Sequence, residues 1–160
     1  MDIVTVLKAD HRKVDELFSQ LKGASGRALK TKERLFLEVK QALMLHMLAE
    51  ETILYPRMRD MPDLRKASFE AGEEHRLVKQ LLSEVSELEC GSEPWNAKVK
   101  VVMDLVTHHV HEEEGEAFKK LKSSLSGTTL NEMGAAVVAL KQNAPEPPIV
   151  QGRNTGAEMM

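Results

Sequence analysis

The sequence has little cysteine, few aromatic residues and no strong excess of charge, and each shortage argues against a class of fold, site or partner. Cys90 is the only cysteine in 160 residues, which rules out an internal disulfide, a cysteine-type zinc site and an iron–sulfur cluster. Only six residues are aromatic, whereas leucine, alanine, valine, lysine and glutamate are abundant. That composition favours helix over sheet. The formal net charge of -3 offers no electrostatic footprint for nucleic acid.

The sequence also lacks any apolar run of the ~20 residues that a transmembrane helix needs. Residues 1–8 show neither the basic nor the apolar region of a signal peptide, so we expect a cytoplasmic protein with no membrane partner. The length suits one domain, which we place at 1–142. Residues 143–160 contain three prolines, two glycines and no aromatic residue, which predicts a disordered tail.

Apolar residues recur at steps of three and four along four long segments, which is typical of amphipathic helices. The predicted helices cover about residues 2–22, 29–59, 64–88 and 94–121. A short fifth helix is predicted to start at a capping box formed by Thr129 and Glu132 and to end near residue 142. Pro56 should kink or loosen the end of the second helix. Short connections between long helices predict an all-α fold, an antiparallel up-down four-helix bundle with a short fifth C-terminal helix.

A histidine and a glutamate four residues apart occur twice in the sequence, as His46 with Glu50 and as His109 with Glu113. Residues four apart project from the same face of a helix. In both helices the pair takes the positions where the apolar row would otherwise continue. Two copies separated by 63 residues indicate a duplicated helix pair that shares one site between its halves.

A single histidine interrupts the apolar row of the first helix and of the third helix in the same way. The candidate metal ligands are therefore His11, His46, Glu50, His75, His109 and Glu113. Burying an ionised carboxylate without a partner costs several kcal/mol, and a metal ion would supply the missing positive charge. Imidazole and carboxylate donors suit iron, manganese or zinc. Two histidines and one glutamate from each half predict a two-metal site with both glutamates bridging.

These motifs resemble those of the hemerythrin-like, or HHE cation-binding, family over residues 1 to about 122. The matching segments are His11, the run from His46 to Glu51 with its Leu54-Tyr55-Pro56 ending, Glu74-His75, and the run from His109 to Glu114. The resemblance implies an oxo- or hydroxo-bridged di-iron centre that binds O2 or reacts with it. It also implies that the six residues named above are the ligands.

The chain departs from the oxygen-carrying hemerythrins in two places. Those proteins have a further histidine one turn after the third-helix histidine, where this chain has Lys79. Carriers also place their last carboxylate five residues after its histidine, the spacing of Glu114 rather than Glu113. The internal repeat and the apolar row favour Glu113, and Glu114 stays open as the alternative. We hypothesise that Lys79 forms a salt bridge with Asp15.

Residues next to these motifs have plainer interpretations. Glu112, His108 and His111 should face solvent, whereas Glu51 and Glu114 are placed to support the ligands from behind. Tyr55 could hydrogen-bond near the site or cap the pocket, with packing as the default role, and no catalytic residue is predicted. The hypothesis is a protein that binds or senses O2, nitric oxide or reactive oxygen as a monomer or weak homodimer. A ferroxidase, a peroxide-consuming or iron-storage protein, and a metal-free structural bundle are the alternatives.

Overall fold

The computed structural model describes residues 1–144, and its regular structure there is entirely helical. The helices are α1 (Ile3–Gly23), α2 (residues 29–59), α3 (Pro62–Ser86), α4 (residues 93–124) and α5 (Gly127–Asn143). The predicted all-α bundle with a fifth helix is confirmed. Residues 145–160, most of the predicted tail, lie outside the described part. None of the helices in residues 1–144 has the length and apolar character needed to span a bilayer.

α2 and α4 each contain one π-helical turn, and both turns begin at the glutamate of the repeated motif. In α2 the π turn is Glu50–Leu54, between Leu29–Ala49 and Tyr55–Arg59. In α4 it is Glu113–Ala117, between Glu93–Glu112 and Phe118–Ser124. π turns are rare and occur mostly at functional sites.

Pro56 follows the π turn of α2, where the sequence predicted a loosened helix. The corresponding position in α4 is Lys119, so proline is not the common cause of the two turns. In each turn the glutamate carbonyl accepts a hydrogen bond from the N–H five residues later, which is Tyr55 in α2 and Phe118 in α4. Each π turn contains one more residue than an α-helical turn, which rotates the residues after the glutamate about the helix axis. The aromatic side chains of Tyr55 and Phe118 are both buried.

Side-chain caps fix the starts of several helices. Asp2 accepts a hydrogen bond from the Thr5 N–H at 2.8 Å at the start of α1. At the start of α5, Ser126 accepts from the Thr129 N–H at 3.1 Å. The predicted capping box at Thr129 is therefore wrong, and α5 begins two residues earlier, at Gly127. Serine in that place satisfies the free N–H groups of the first turn as well as threonine would.

Two apolar clusters form the core, one towards each end of the bundle. One includes Phe36, Leu82 and Trp95, and the other includes Leu54 and Val137 from α5. Along each helix of the bundle the histidine lies between a residue of one cluster and a residue of the other, as His11 does between Leu7 and Val14. The polar side chains therefore form a layer across the middle of the core.

Gly134 permits close packing of α5 against the start of α1. A Cβ at this position would lie under 3.0 Å from backbone atoms of Met1, Asp2 and Ile3, whereas a Cβ at Gly72 in α3 would meet nothing within 4 Å. We expect Gly134→Ala to lower the free energy of unfolding by about 1–3 kcal/mol through overpacking.

Gly72→Ala is the matched control, since alanine in a helix interior should stabilise the protein by about 0.5–1 kcal/mol. Urea unfolding followed by circular dichroism measures both variants. Equal effects of the two substitutions would contradict the packing described for α5.

Candidate metal centre

The structure brings the six predicted ligands into one buried layer. Their exposed fractions are 6% for His11, 5% for His46, 0% for Glu50, 3% for His75, 8% for His109 and 5% for Glu113. Each of the four bundle helices contributes one histidine, and α2 and α4 each add the glutamate that opens a π turn. Glutamate is almost never buried to this degree without a partner, so the layer needs an electrostatic explanation.

The donors fall into two sets that share one carboxylate. In the first donor set, single atoms of His11, His46, Glu50 and Glu113 lie within 4.8 Å of one another. In the second donor set, Glu50, His75 and His109 meet the same limit. Such a spacing lets one cation touch every donor of a set. The shared Glu50 brings the two sets into direct contact.

Glu113 also contacts histidines of both halves. Its Oε1 is 3.2 Å from His11 Nε2, and its Oε2 is 3.1 Å from His109 Nε2. The Oε1 of Glu50 contacts His46 Nε2 and lies 3.8 Å from His75 Nε2. Each glutamate therefore reaches across the pseudo-twofold relation between the halves, as a bridging ligand would.

Two buried carboxylate oxygens accept no hydrogen bond from residues 1–144. They are Glu50 Oε1 and Glu113 Oε1, which face imidazole nitrogens in poor hydrogen-bond geometry. A buried acceptor without a hydrogen bond costs about 1–3 kcal/mol, and more when it is charged. Coordination of a cation removes this cost, so the oxygen positions and the donor chemistry fit a metal with nitrogen and oxygen ligands.

A carboxylate lies against the Nδ1 atom of every histidine in the layer. The pairs are Asp10 with His46 at 2.9 Å, Glu51 with His75 at 3.1 Å, Glu74 with His109 at 3.6 Å and Glu114 with His11 at 3.0 Å. Each carboxylate comes from the preceding helix of the bundle, and α4 closes the ring on α1. These contacts orient each ring so that its Nε2 faces the centre, as carboxylates do behind metal-ligating histidines.

The sequence predicted such support from Glu51 and Glu114 but did not assign it to Asp10 or Glu74. Both missed residues directly precede a predicted ligand, His11 or His75. Glu113 and Glu114 also take separate places, since the Glu113 carboxylate lies within the layer and the Glu114 carboxylate contacts His11 from its outer side. The structure thus gives Glu114 the supporting position.

Lysines hold two of the four supporting carboxylates. Lys79 Nζ is 2.6 Å from Glu51 Oε1, and Lys141 of α5 contacts Asp10. The hypothesis of a salt bridge between Lys79 and Asp15 is therefore wrong. The reason is local. His75 lies one turn before Lys79 in α3, and the Glu51 carboxylate, which contacts His75, also contacts the lysine.

Tyr55 does more than the default packing role, and of the sequence alternatives the structure shows the hydrogen bond near the site. Its hydroxyl donates to Glu50 Oε2 at 2.9 Å and lies 3.3 Å from Glu113 Oε2. It is also 3.1 Å from His75 Nε2 and 3.3 Å from His109 Nε2. The phenol oxygen therefore touches all three residues of the second donor set.

The equivalent residue in the other half is Phe118, which has no hydroxyl and stacks on His11 with ring centroids 5.9 Å apart. The site is therefore symmetric in its histidines and glutamates but not in its aromatic residues. Burial and the neighbouring charges of Glu50 and Glu113 raise the pKa of Tyr55 well above its usual value. In the metal-free protein Tyr55 is thus a neutral hydrogen-bond donor.

The carboxylates control the charge of the histidines. Burial opposes protonation of His46, but Glu50 and Asp10 outweigh it and raise its pKa to about 10. For His109, burial is likewise outweighed by Glu113 and Glu74, and the pKa is raised. Burial dominates at His75, whose pKa is lowered. The metal-free layer therefore holds protons that neutralise its carboxylates, and a metal would displace them.

The histidines outside the layer behave as the sequence predicted. His108 and His111 are exposed, and so is Glu112. His108 Nε2 is 3.1 Å from Glu112 Oε1, and with Glu74 these residues form a third group of closely spaced donors at the surface. This group lies outside the layer and does not belong to either donor set.

The stability of the metal-free protein should depend on the protonation of His46. Because its folded pKa of about 10 exceeds the unfolded value of 6.5, the stabilisation is complete below pH 6.5 and is lost as pH rises towards 10. We expect the free energy of unfolding to fall across this range and to fall less in His46→Gln. Urea unfolding of chelator-treated protein measures this, and a rise in stability with pH in the parent protein would contradict it.

Comparisons with known proteins bear on the helical fold and on the family of this chain. The solved structure of a hemerythrin HHE cation binding domain-containing protein, the Rv2633c homolog from Mycobacterium kansasii, superimposes with a TM-score of 0.75. The two share 21% identity over 89% of this chain and 86% of that one, which establishes the common fold. A curated relative, the DNA nickase of Nostoc sp. strain PCC 7120, is 29% identical over 157 residues.

The alignment with the nickase covers 98% of this chain but 43% of the nickase, so the chain spans less than half of that relative's length. The family description "Hemerythrin HHE cation binding domain" matches residues 2–121. This range includes α1 to α3, α4 through its π turn and into the segment that follows, and every residue of both donor sets. The chain therefore belongs to the hemerythrin HHE cation-binding domain family.

Proposed function

We propose that this protein holds two iron ions in its buried layer and binds or senses O2, nitric oxide or a related small molecule there. The observation that carries the proposal is the pair of donor sets that share Glu50 in a core whose other buried side chains are mostly apolar. Two ferrous ions would supply the electrons that O2 or reactive oxygen accepts. Zinc or manganese is chemically compatible with the same donors.

The residues would divide the work of holding the metals. His11 and His46 would bind one ion and His75 and His109 the other, with Glu50 and Glu113 between them. The first donor set contains four residues, and the second contains three. Because the Tyr55 oxygen contacts all three residues of the second donor set, we propose it as a further donor there, in addition to the bridging Glu113. A bound cation favours the phenolate, reversing the effect of burial on the Tyr55 pKa.

A small apolar cavity beside the histidines offers room for a small ligand next to the metal positions. Its volume is about 20 Å³, and apolar side chains such as Val14, Leu43, Val78 and Val106 line it together with the four histidines. A cavity must have a volume of roughly 10–15 Å³ to hold one water molecule. The space suits a diatomic molecule and excludes an organic substrate. Its apolar walls would also keep water away from a bound ligand.

Nucleic acid and membranes are not part of the proposal. The net charge of -3 does not favour binding to a phosphate backbone. The Nostoc relative is more than twice as long as the region that matches this chain, and its name describes that longer protein. The cytoplasmic location and the monomer or weak homodimer stay predictions from the sequence.

Metal content tests the proposal first. Protein purified without chelator should contain two iron ions per chain by elemental analysis. Glu50→Ala should lose most of this metal because both donor sets lose their shared residue, whereas the exposed control Glu38→Ala should keep it. Less than about half a metal ion per chain in the parent protein would leave a metal-free structural bundle as the better reading.

The reaction with O2 then separates binding from catalysis. Reduced protein mixed with O2 should give an oxygenated absorption spectrum that reverses when O2 is removed. Rapid irreversible oxidation, with continued consumption of ferrous iron or peroxide, would contradict the binding function and would indicate a ferroxidase or peroxide-consuming enzyme.

Tyr55→Phe tests the added donor. Ferric iron bound by a phenolate absorbs visible light, so the oxidised parent protein should show a visible band that this variant lacks. The iron content should stay close to the parent value, since His75, His109 and Glu50 remain. The aromatic ring is the same in parent and variant, so the comparison isolates the hydroxyl. Phe118→Tyr, the mirror-image change, leaves Tyr55 in place and should keep the visible band. An identical visible spectrum in Tyr55→Phe would exclude Tyr55 as a ligand.

A further inference from the structure

A cleft between α3 and α4 connects the surface with the second donor set. Its volume is about 310 Å³, and its inner wall includes Tyr55, His109 and Glu113. These residues are almost inaccessible from elsewhere, and their exposed fractions are below a tenth. The outer side of every histidine is occupied by a supporting carboxylate, so a cation that reaches the layer passes close to one of these carboxylates.

The lining of this cleft is strongly acidic. Its carboxylates are Asp63, Glu70 and Glu74 from α3 and Glu112 and Glu116 from α4. The cationic side chain among the lining residues is Lys120, together with His111 when it is protonated. Clefts that carry charge of one sign concentrate ions of the opposite sign and raise their rate of entry.

A second cleft reaches the layer between α1 and α4, and it differs in charge. Its volume is about 240 Å³ and it ends at His11. Its charged lining residues are Arg12, Asp15 and Glu114, so one guanidinium offsets one of two carboxylates and a single negative charge remains. This cleft offers little attraction for a cation, and it serves as the internal comparison.

Two residues of the cleft lining, Glu74 and Glu112, form a donor group with the neighbouring His108, and we call this group the rim group. Glu74, His108 and Glu112 present donor atoms within 4.8 Å of one another. Glu74 also faces inward, with its Oε2 3.6 Å from His109 Nδ1. One residue therefore belongs both to the exposed group and to the support of the buried layer. At the inner end, Glu113 contacts His109 through its Oε2, and its buried Oε1 faces His11 and accepts no hydrogen bond from the described residues. This carboxylate offers a destination for a cation.

We propose that the acidic cleft between α3 and α4 is the path by which a divalent metal ion enters the buried layer, and that Glu74, His108 and Glu112 bind it first. This inference rests on the proposed function, because it assumes that the layer takes up metal. Entry is a matter of rate, whereas the donor sets decide how much metal is held. The two claims can therefore be tested separately.

The experiment measures the rate of Co²⁺ uptake by chelator-treated protein, followed by stopped-flow absorption of the bound ion. The test variant is Glu112→Gln with Glu116→Gln, which removes two exposed charges from the cleft. The matched control is Glu33→Gln with Glu38→Gln, which removes two exposed charges from α2. We expect the cleft variant to take up Co²⁺ about tenfold more slowly at low salt and the control to match the parent protein.

The final Co²⁺ stoichiometry should be the same in all three proteins, and the difference in rate should shrink with added salt. His108→Ala should also slow uptake, because it removes one donor of the rim group without removing a carboxylate. Equal uptake rates in the cleft variant and the control would overturn the entry path and leave the metal site intact. Failure of the parent protein to bind Co²⁺ at all would overturn the proposed function as well.

Discussion

The rest of the structure depends on two glutamate carboxylates buried at the centre of an apolar bundle. Glu50 is fully buried and Glu113 nearly so, and each would be costly there without a balancing positive charge. Protons on His46 and His109 provide that balance in the metal-free protein. The same atoms offer a divalent ion both nitrogen and oxygen donors. Metal binding would exchange one form of neutralisation for another within a fixed framework.

That framework is built from a repeated helix pair whose two copies differ in one aromatic residue of the site. The π turns of α2 and α4 present the glutamates and, directly after each, the carboxylate that supports a histidine on the next helix. The resulting ring of four supporting carboxylates treats the halves alike. Tyr55 and Phe118 break the symmetry, since one places a hydroxyl among the donors and the other only a ring. The two metal positions should therefore differ in chemistry even though their histidines match.

Much of this arrangement could be predicted from the sequence, because the helical period is strict in the bundle. A histidine or glutamate that occupies an apolar row at a step of three or four must face the core, and the six layer residues followed from that rule. The π turns could not be predicted in the same way, since nothing in the residues near Glu113 distinguishes them from ordinary helix. For the same reason the sequence leaves the role of the Tyr55 hydroxyl open between packing and a hydrogen bond near the site, and the structure places it in the layer.

Contacts between side chains of different helices also could not be predicted from the sequence. Lys79 and Asp15 each lie four residues after a histidine, which made them a plausible pair, but the structure gives Lys79 to Glu51 on the neighbouring helix. Likewise, Asp10 and Glu74 each stand next to a layer histidine in sequence and support a histidine of a different helix. Such choices depend on which helix faces which, and periodicity along one helix does not contain that information.

The most direct test of the account is a crystal structure of the iron-loaded protein with anomalous scattering measured at the iron absorption edge. The account predicts two iron peaks in each chain, one among His11, His46, Glu50 and Glu113 and the other among Glu50, His75 and His109. A single peak, or iron bound only at the surface group of Glu74, His108 and Glu112, would contradict it.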